Sequence, residues 1–119
     1  MKVHNVKEVF DFYSQYRGQY IYIEGYYADH CLFDANPQST EVLSVGPQLH
    51  KDIDMLLHKI GLDSYEGKIR VVGKVNAAMT PHKNIGDILR VELLNDNGSV
   101  TATEKIHSNS IPKSMREEI

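Results

Sequence analysis

The chain has 119 residues, a formal net charge of −3, 41% apolar residues and 24% charged ones, values of an ordinary globular domain and not of a disordered chain. One core can be buried at this length without staples, and the single cysteine, Cys31, excludes an internal disulfide and points to a reducing, cytoplasmic setting. The acidic balance argues against a strong nonspecific nucleic-acid binder but leaves room for a local basic patch.

The opening MKVHNVKEVFDF lacks an apolar stretch and carries charges early, so it is not expected to be a signal peptide. Apolar runs are only a few residues long, so no membrane span is expected. Val6, Val9, Phe10 and Tyr13 fall at helical spacing. Asn5 with Glu8 resembles a capping box, and Gly18 is a natural stop. A short amphipathic helix is therefore expected over about 5–17. In QYIYIEGYYADH, Ile21 and Ile23 alternate with Tyr20, Tyr22 and Glu24, which is strand period. Gly25 inside that run is expected to mark a bend or bulge.

Short strands are expected at about 30–34 and at 41–45, separated by the Asn36-Pro37 break and closed by Gly46-Pro47. The period then changes. Leu49, Ile53, Leu56, Leu57 and Ile60 share one helical face, and Gly61 suits the C′ position. Strand period returns in EGKIRVVGKV, with Ile69, Val71, Gly73 and Val75 on one side and Lys68, Arg70, Val72 and Lys74 on the other. Residues 80–86 form a polar loop with His82 and Lys83. Ile88–Leu94 is a strand with Leu89, Val91 and Leu93 on one face, Asn97-Gly98 is a turn, and Ser99–Ile106 is an added strand. From Ser108 a loose tail is expected.

The expected fold is one mostly β domain with helices, in the order β-β-β-α-β-β. The phrases GQYIYIEGYYAD and EGKIRVVGKV, together with that order, resemble the first and fourth strands of OB-fold domains related to the anticodon-binding group. The resemblance covers about 19–95. It implies a five-stranded β-barrel, from which the N-terminal helix at about 5–17 and the C-terminal extension at about 99–119 depart as additions. It also implies that the first and fourth barrel strands are neighbours.

If so, an aromatic row (Tyr20, Tyr22, Tyr26) lies beside a basic row (Lys68, Arg70, Lys74), with His82 and Lys83 in the loop beyond. Stacking rings beside cations are what single-stranded nucleic-acid binding uses. Residues 66–91 hold five basic and two acidic side chains, a local +3 that leaves −6 elsewhere. Two features oppose this reading. Glu24 interrupts the aromatic row, and OB domains usually bind through their second and third strands. Tyr, Lys and Arg also simply clothe the wet face of strands.

His50, Asp54 and His58 form a helical stripe with metal-capable groups. The stripe faces away from the apolar side, so solvated surface is expected and no metal site. His30 and Cys31 are adjacent and so point to opposite strand faces, which makes Cys31 a structural residue and not a nucleophile. No catalytic residue and no cofactor are expected. The reading is a non-catalytic binding module for single-stranded nucleic acid. The alternative is a protein-interaction module, such as an adaptor or an immunity-type protein of a bacterial system, because tyrosine-rich strands suit protein interfaces. Self-association through the N-terminal helix or an edge strand stays open.

Overall fold

The computed structural model describes residues 2–45, 47–62, 64–77 and 83–105. Most of its regular structure is strand: β1 Val3–Asn5, β2 Tyr20–Ala28, β3 Cys31–Phe33, β4 Val42–Val45, β5 Gly67–Val75, β6 Asn84–Leu94 and β7 Val100–Lys105. Helices are α1 Val6–Asp11, α2 Tyr13–Tyr16 and α3 Pro47–Lys59. The sheet runs β1-β2-β3-β4-β6-β5, and β5 pairs back onto β2, so five strands close in a ring. β1 lies outside it as a parallel neighbour of β2, and β7 as an antiparallel neighbour of β6.

The N-terminal segment differs from expectation in two ways. A short strand precedes the helix, and the helix is divided at Phe12, whose φ/ψ of −114°/33° leaves the helical region. Asn5 caps α1, its side chain accepting the Glu8 N–H at 2.7 Å. The Glu8 carboxylate does not return the favour of a capping box; it accepts from Tyr16 Oη and pairs with His4 Nδ1. Gly18 (φ +77°) ends the segment and donates its N–H to the Val75 carbonyl.

The bend or bulge expected at Gly25 does not take the form of a register shift. Pairing of β2 with β5 runs without a break from Tyr20 opposite Lys74 to Tyr27 opposite Gly67. Glycine is needed there for space: a Cβ would stand 2.7 Å from Val6 Cγ2 and 2.8 Å from Leu32 Cγ. Val6 of α1 thus packs against the bare backbone of β2, and both Val6 and Leu32 are fully buried. At the same residue β2 changes partners on its other edge, from β1 (Asn5 opposite Glu24) to β3 (Tyr26 opposite Phe33).

The irregularity lies on β6. Between Val72/Arg90 and Lys74/Gly86 the chain advances two residues on β5 and four on β6. Asp87 there has φ +47°. Gly73 faces the bulge, where a Cβ would lie 2.7 Å from Ile88 Cδ1 and 3.0 Å from the Gly86 carbonyl. The bulge breaks the period-2 alternation, so Leu89 does not join Val91 and Leu93 on one face as expected. Val91 and Leu93 enter the main core, whereas Leu89 packs with Val72 in a separate outer cluster. β6 also starts at Asn84, inside the stretch expected to be loop.

α3 seals the ring with Ile53, Leu56 and Leu57, all buried. Ile60, expected on that face, is 44% exposed. The helix has already ended: Gly61 (φ +78°) turns the chain and Leu62 N–H reaches back to the Leu57 carbonyl at 2.8 Å, which is the Schellman pattern. Asn97-Gly98 sits in the β6–β7 turn as expected, with Gly98 at φ +86°. The tail from Ser108 and the loop residue His82 lie outside the described residues, as do His107 and the side chains of Leu49 and His50. Among the described residues, no helix is long and apolar enough to cross a membrane.

Gly25→Ala is expected to destabilise the fold by about 1–3 kcal/mol through overpacking against Val6 and Leu32. Urea denaturation monitored by circular dichroism checks this. The Gly25→Ala/Val6→Ala pair is expected to lose less than the sum of the single changes, because Val6 Cγ2 is the nearest obstruction.

Candidate nucleic-acid interface

The β2–β5 ladder sets the aromatic and basic residues directly opposite each other. Tyr20 faces Lys74, Tyr22 faces Val72, Glu24 faces Arg70 and Tyr26 faces Lys68. β6 continues two of these rows, with Arg90 opposite Val72 and Glu92 opposite Arg70. The outer face of three adjacent strands therefore carries Tyr20–Lys74, Tyr22–Val72–Arg90, Glu24–Arg70–Glu92 and Tyr26–Lys68. Val72 is fully buried although it points outward, because Leu89, Tyr20 and Tyr22 cover it. The tyrosine rings thus rest on a small apolar floor, which fixes their position.

The middle of the face is tied together. Arg70 Nε donates to Glu24 Oε1 at 2.8 Å, and this bond raises the Arg70 pKa above the ordinary guanidinium value. Tyr22 Oη donates to Glu92. Burial, then that bond, pushes the Tyr22 phenol up. The Arg90 guanidinium stands 4.9 Å over the Tyr22 ring, a cation–π geometry.

The ends are looser. Lys74 Nζ lies 6.0 Å from the Tyr20 ring centroid, at the limit of that interaction. Lys68 lines a cleft of about 110 Å³ with Asn5, Glu24, Gly25, Asp34 and Ala35. The cleft opens at Gly25, where β2 exchanges β1 for β3.

Lys83 is used elsewhere. Its Nζ donates to the Phe10 carbonyl at 2.8 Å and lies 3.8 Å over the Phe10 ring. Tyr13 Oη donates to the Asn76 and Asn84 carbonyls, and Arg17 to Ala77 O. The N-terminal helices thereby clamp the β5–β6 connection at both of its described ends. Arg90 and Glu92 were missed as face residues. Their alternation with Val91 and Leu93 was visible in the sequence; the place of their strand beside β5 comes from the pairing.

A second cleft, of about 340 Å³, lies at the far end of β2 among Tyr27, Asp29, His30, Asp54, Tyr65 and Glu66. Asp29 and His30 form the two-residue β2–β3 turn with φ of +48° and +61°, the primed geometry that suits a hairpin. Burial, with Asp54 second, pushes the Tyr27 phenol up to about 12. Burial, with Asp29 second, also raises the Cys31 thiol, the opposite of what a reactive thiolate needs. Asp54 and His58 are exposed on α3, and among the described residues no group of three metal-capable side chains converges.

No known protein family, curated protein or solved structure matches this chain.

Two outcomes follow from these interactions. Glu24 and Arg70 are 38% and 27% exposed, so a double-mutant cycle is expected to return a coupling of only about 0.5 kcal/mol that shrinks with added salt. Tyr27 acts on alkaline stability. Its folded pKa of about 12 exceeds the unfolded value near 10, so the unfolded state releases its proton first. The contribution is complete below about pH 10 and is lost as pH rises towards 12. Urea midpoints measured across that window are expected to fall less steeply for Tyr27→Phe than for the wild type.

Proposed function

We propose that the closed ring is an OB-type barrel and that the protein is a non-catalytic module that binds single-stranded nucleic acid across the outer face of β2 and β5. The strand order supports the barrel. Numbered along the chain, the five ring strands are arranged 1-2-3-5-4 and close on 1. The third and fifth are parallel, and α3 joins the third to the fourth. The resemblance to anticodon-binding-type OB domains implied one part of this order, the adjacency of the first and fourth strands.

The observation that carries the function is the pairing of Tyr20 with Lys74 and of Tyr26 with Lys68 across one ladder. Each pair offers a ring for a base and a cation for a phosphate. Stacking of this kind contributes about 1–3 kcal/mol per base and tolerates any sequence. The two pairs lie six residues apart along the strand, roughly 20 Å. That span suits the about 4–16 nucleotides that one OB fold covers. Lys68, Arg70, Lys74 and Arg90 against Glu24 and Glu92 give the four rows a positive balance on an acidic chain. A lone Cys31 with a raised pKa suits a reducing compartment such as the cytoplasm.

Fluorescence anisotropy of a labelled oligothymidylate of about 12 nucleotides, at about 25 mM salt, tests the reading. Saturable binding that weakens with salt is expected. The Lys68→Glu/Lys74→Glu double variant is expected to bind at least about tenfold more weakly with an unchanged circular dichroism spectrum. Binding that survives the double reversal would place the ligand on another surface.

A further inference from the structure

Not every cation of the face is equally available to a phosphate. Arg70 is held by Glu24 at 2.8 Å, and Glu92 lies opposite it on its other flank. Tyr22 donates its hydroxyl to the same Glu92. Arg90 covers the Tyr22 ring at 4.9 Å, where a base would otherwise stack, and its Nε is buried with no hydrogen-bond partner among the described residues. The central rows are thus closed by the protein's own carboxylates and guanidinium groups. The end rows differ. Among the described residues the Lys68 ammonium makes no hydrogen bond or ion pair, and the Lys74 ammonium has only its distant contact with Tyr20.

We propose that the nucleic-acid site is bipartite: Lys74 with Tyr20 and Lys68 with Tyr26 engage the strand at two ends, while Glu24 and Glu92 occupy the middle as built-in competitors of phosphate. This rests on the single-stranded nucleic-acid reading of the same face. A phosphate arriving at Arg70 must displace a carboxylate already in place and meet the repulsion of Glu92. One arriving at either lysine has no bonded carboxylate to displace, although Glu24 and Asp34 line the cleft that Lys68 shares and Asp87 lies within electrostatic reach of Tyr20. Removing both Glu24 and Glu92 opens a third anchoring point.

Salt dependence separates the two kinds of cation, because each phosphate neutralised on a single strand adds about 0.7 to the slope of log K against log salt. Anisotropy titrations with the labelled oligothymidylate over about 25–200 mM salt are the measurement. Lys68→Ala and Lys74→Ala are each expected to lower the slope by about 0.7 and to weaken binding about eightfold at about 50 mM salt. The charge-neutral pair Glu24→Gln/Arg70→Gln is expected to keep the wild-type slope and to bind within about twofold of it. Glu24→Gln/Glu92→Gln is expected to raise the slope by about 0.7 as Arg70 loses both competing carboxylates.

The bipartite site is overturned if the Glu24→Gln/Arg70→Gln pair loses as much slope as Lys68→Ala, or if either lysine variant keeps the full slope. Should the pair variant unfold, Glu24→Gln/Glu92→Gln decides, since an unchanged slope there contradicts the proposal. Absence of any saturable wild-type binding at the lowest salt has a different meaning: it rejects the nucleic-acid reading itself, and this inference with it.

Discussion

The antiparallel ladder between β2 and β5 is the constraint on which the rest depends. It closes the ring, and it also decides what the ring shows to water. Inward from it point Ile21, Ile23, Ile69, Val71 and Val75, all buried, with Gly25 and Gly73 where neighbouring groups need the room. Outward point Tyr20, Tyr22, Glu24, Tyr26, Lys68, Arg70 and Lys74. Because side chains alternate, a slip of one residue would exchange the two sets and send charges into the core. Burial of β-branched side chains, roughly 1.5–3 kcal/mol each, therefore fixes the register, and the register fixes the rows of the outer face.

The two glycines show how the interior and exterior are linked. Gly25 lets α1 approach the ring closely enough for Val6 to fill it, and α1 in turn supports Phe10 beneath Lys83. Gly73 admits the β6 bulge. That bulge turns Leu89 outward, where it forms the floor under Tyr20 and Tyr22 with Val72. The rings of the outer face thus owe their placement to an irregularity on a different strand.

Much of this was legible in the sequence, for physical reasons. Period 2 in 20–28 and 67–75 and period 3.6 in the helix 47–59 report burial directly, so those elements and the side each residue faces could be read. The adjacency of β2 and β5 came from the expected barrel order. Other features depend on partners distant in sequence. The strand Val3–Asn5 exists because β2 offers it an edge, and three residues carry no period. The role of Gly25 depends on Val6 and Leu32, which a local pattern cannot reveal. The β6 bulge was hidden because Leu89, Val91 and Leu93 alternate perfectly on paper. Lys83 looked like a loop cation, and only the fold brings Phe10 beneath it. The Glu24–Arg70 contact was half visible: Glu24 clearly interrupted the tyrosine row, but its partner required the register.

The face that emerges is a patterned one, with two tyrosine–lysine ends around a self-paired middle, on a chain that also carries a cleft lined by Asp29, Asp54 and Glu66. Such polarity would orient an anionic strand towards β2 and β5 and away from the acidic cleft. Backbone amide chemical-shift mapping by NMR during titration with an unlabelled oligothymidylate tests this most directly. The account predicts that the largest perturbations fall on 20–26 and 68–74, strongest towards Tyr20/Lys74 and Tyr26/Lys68. Perturbations centred instead on β3 and β4, around Phe33 and Val42, would contradict it.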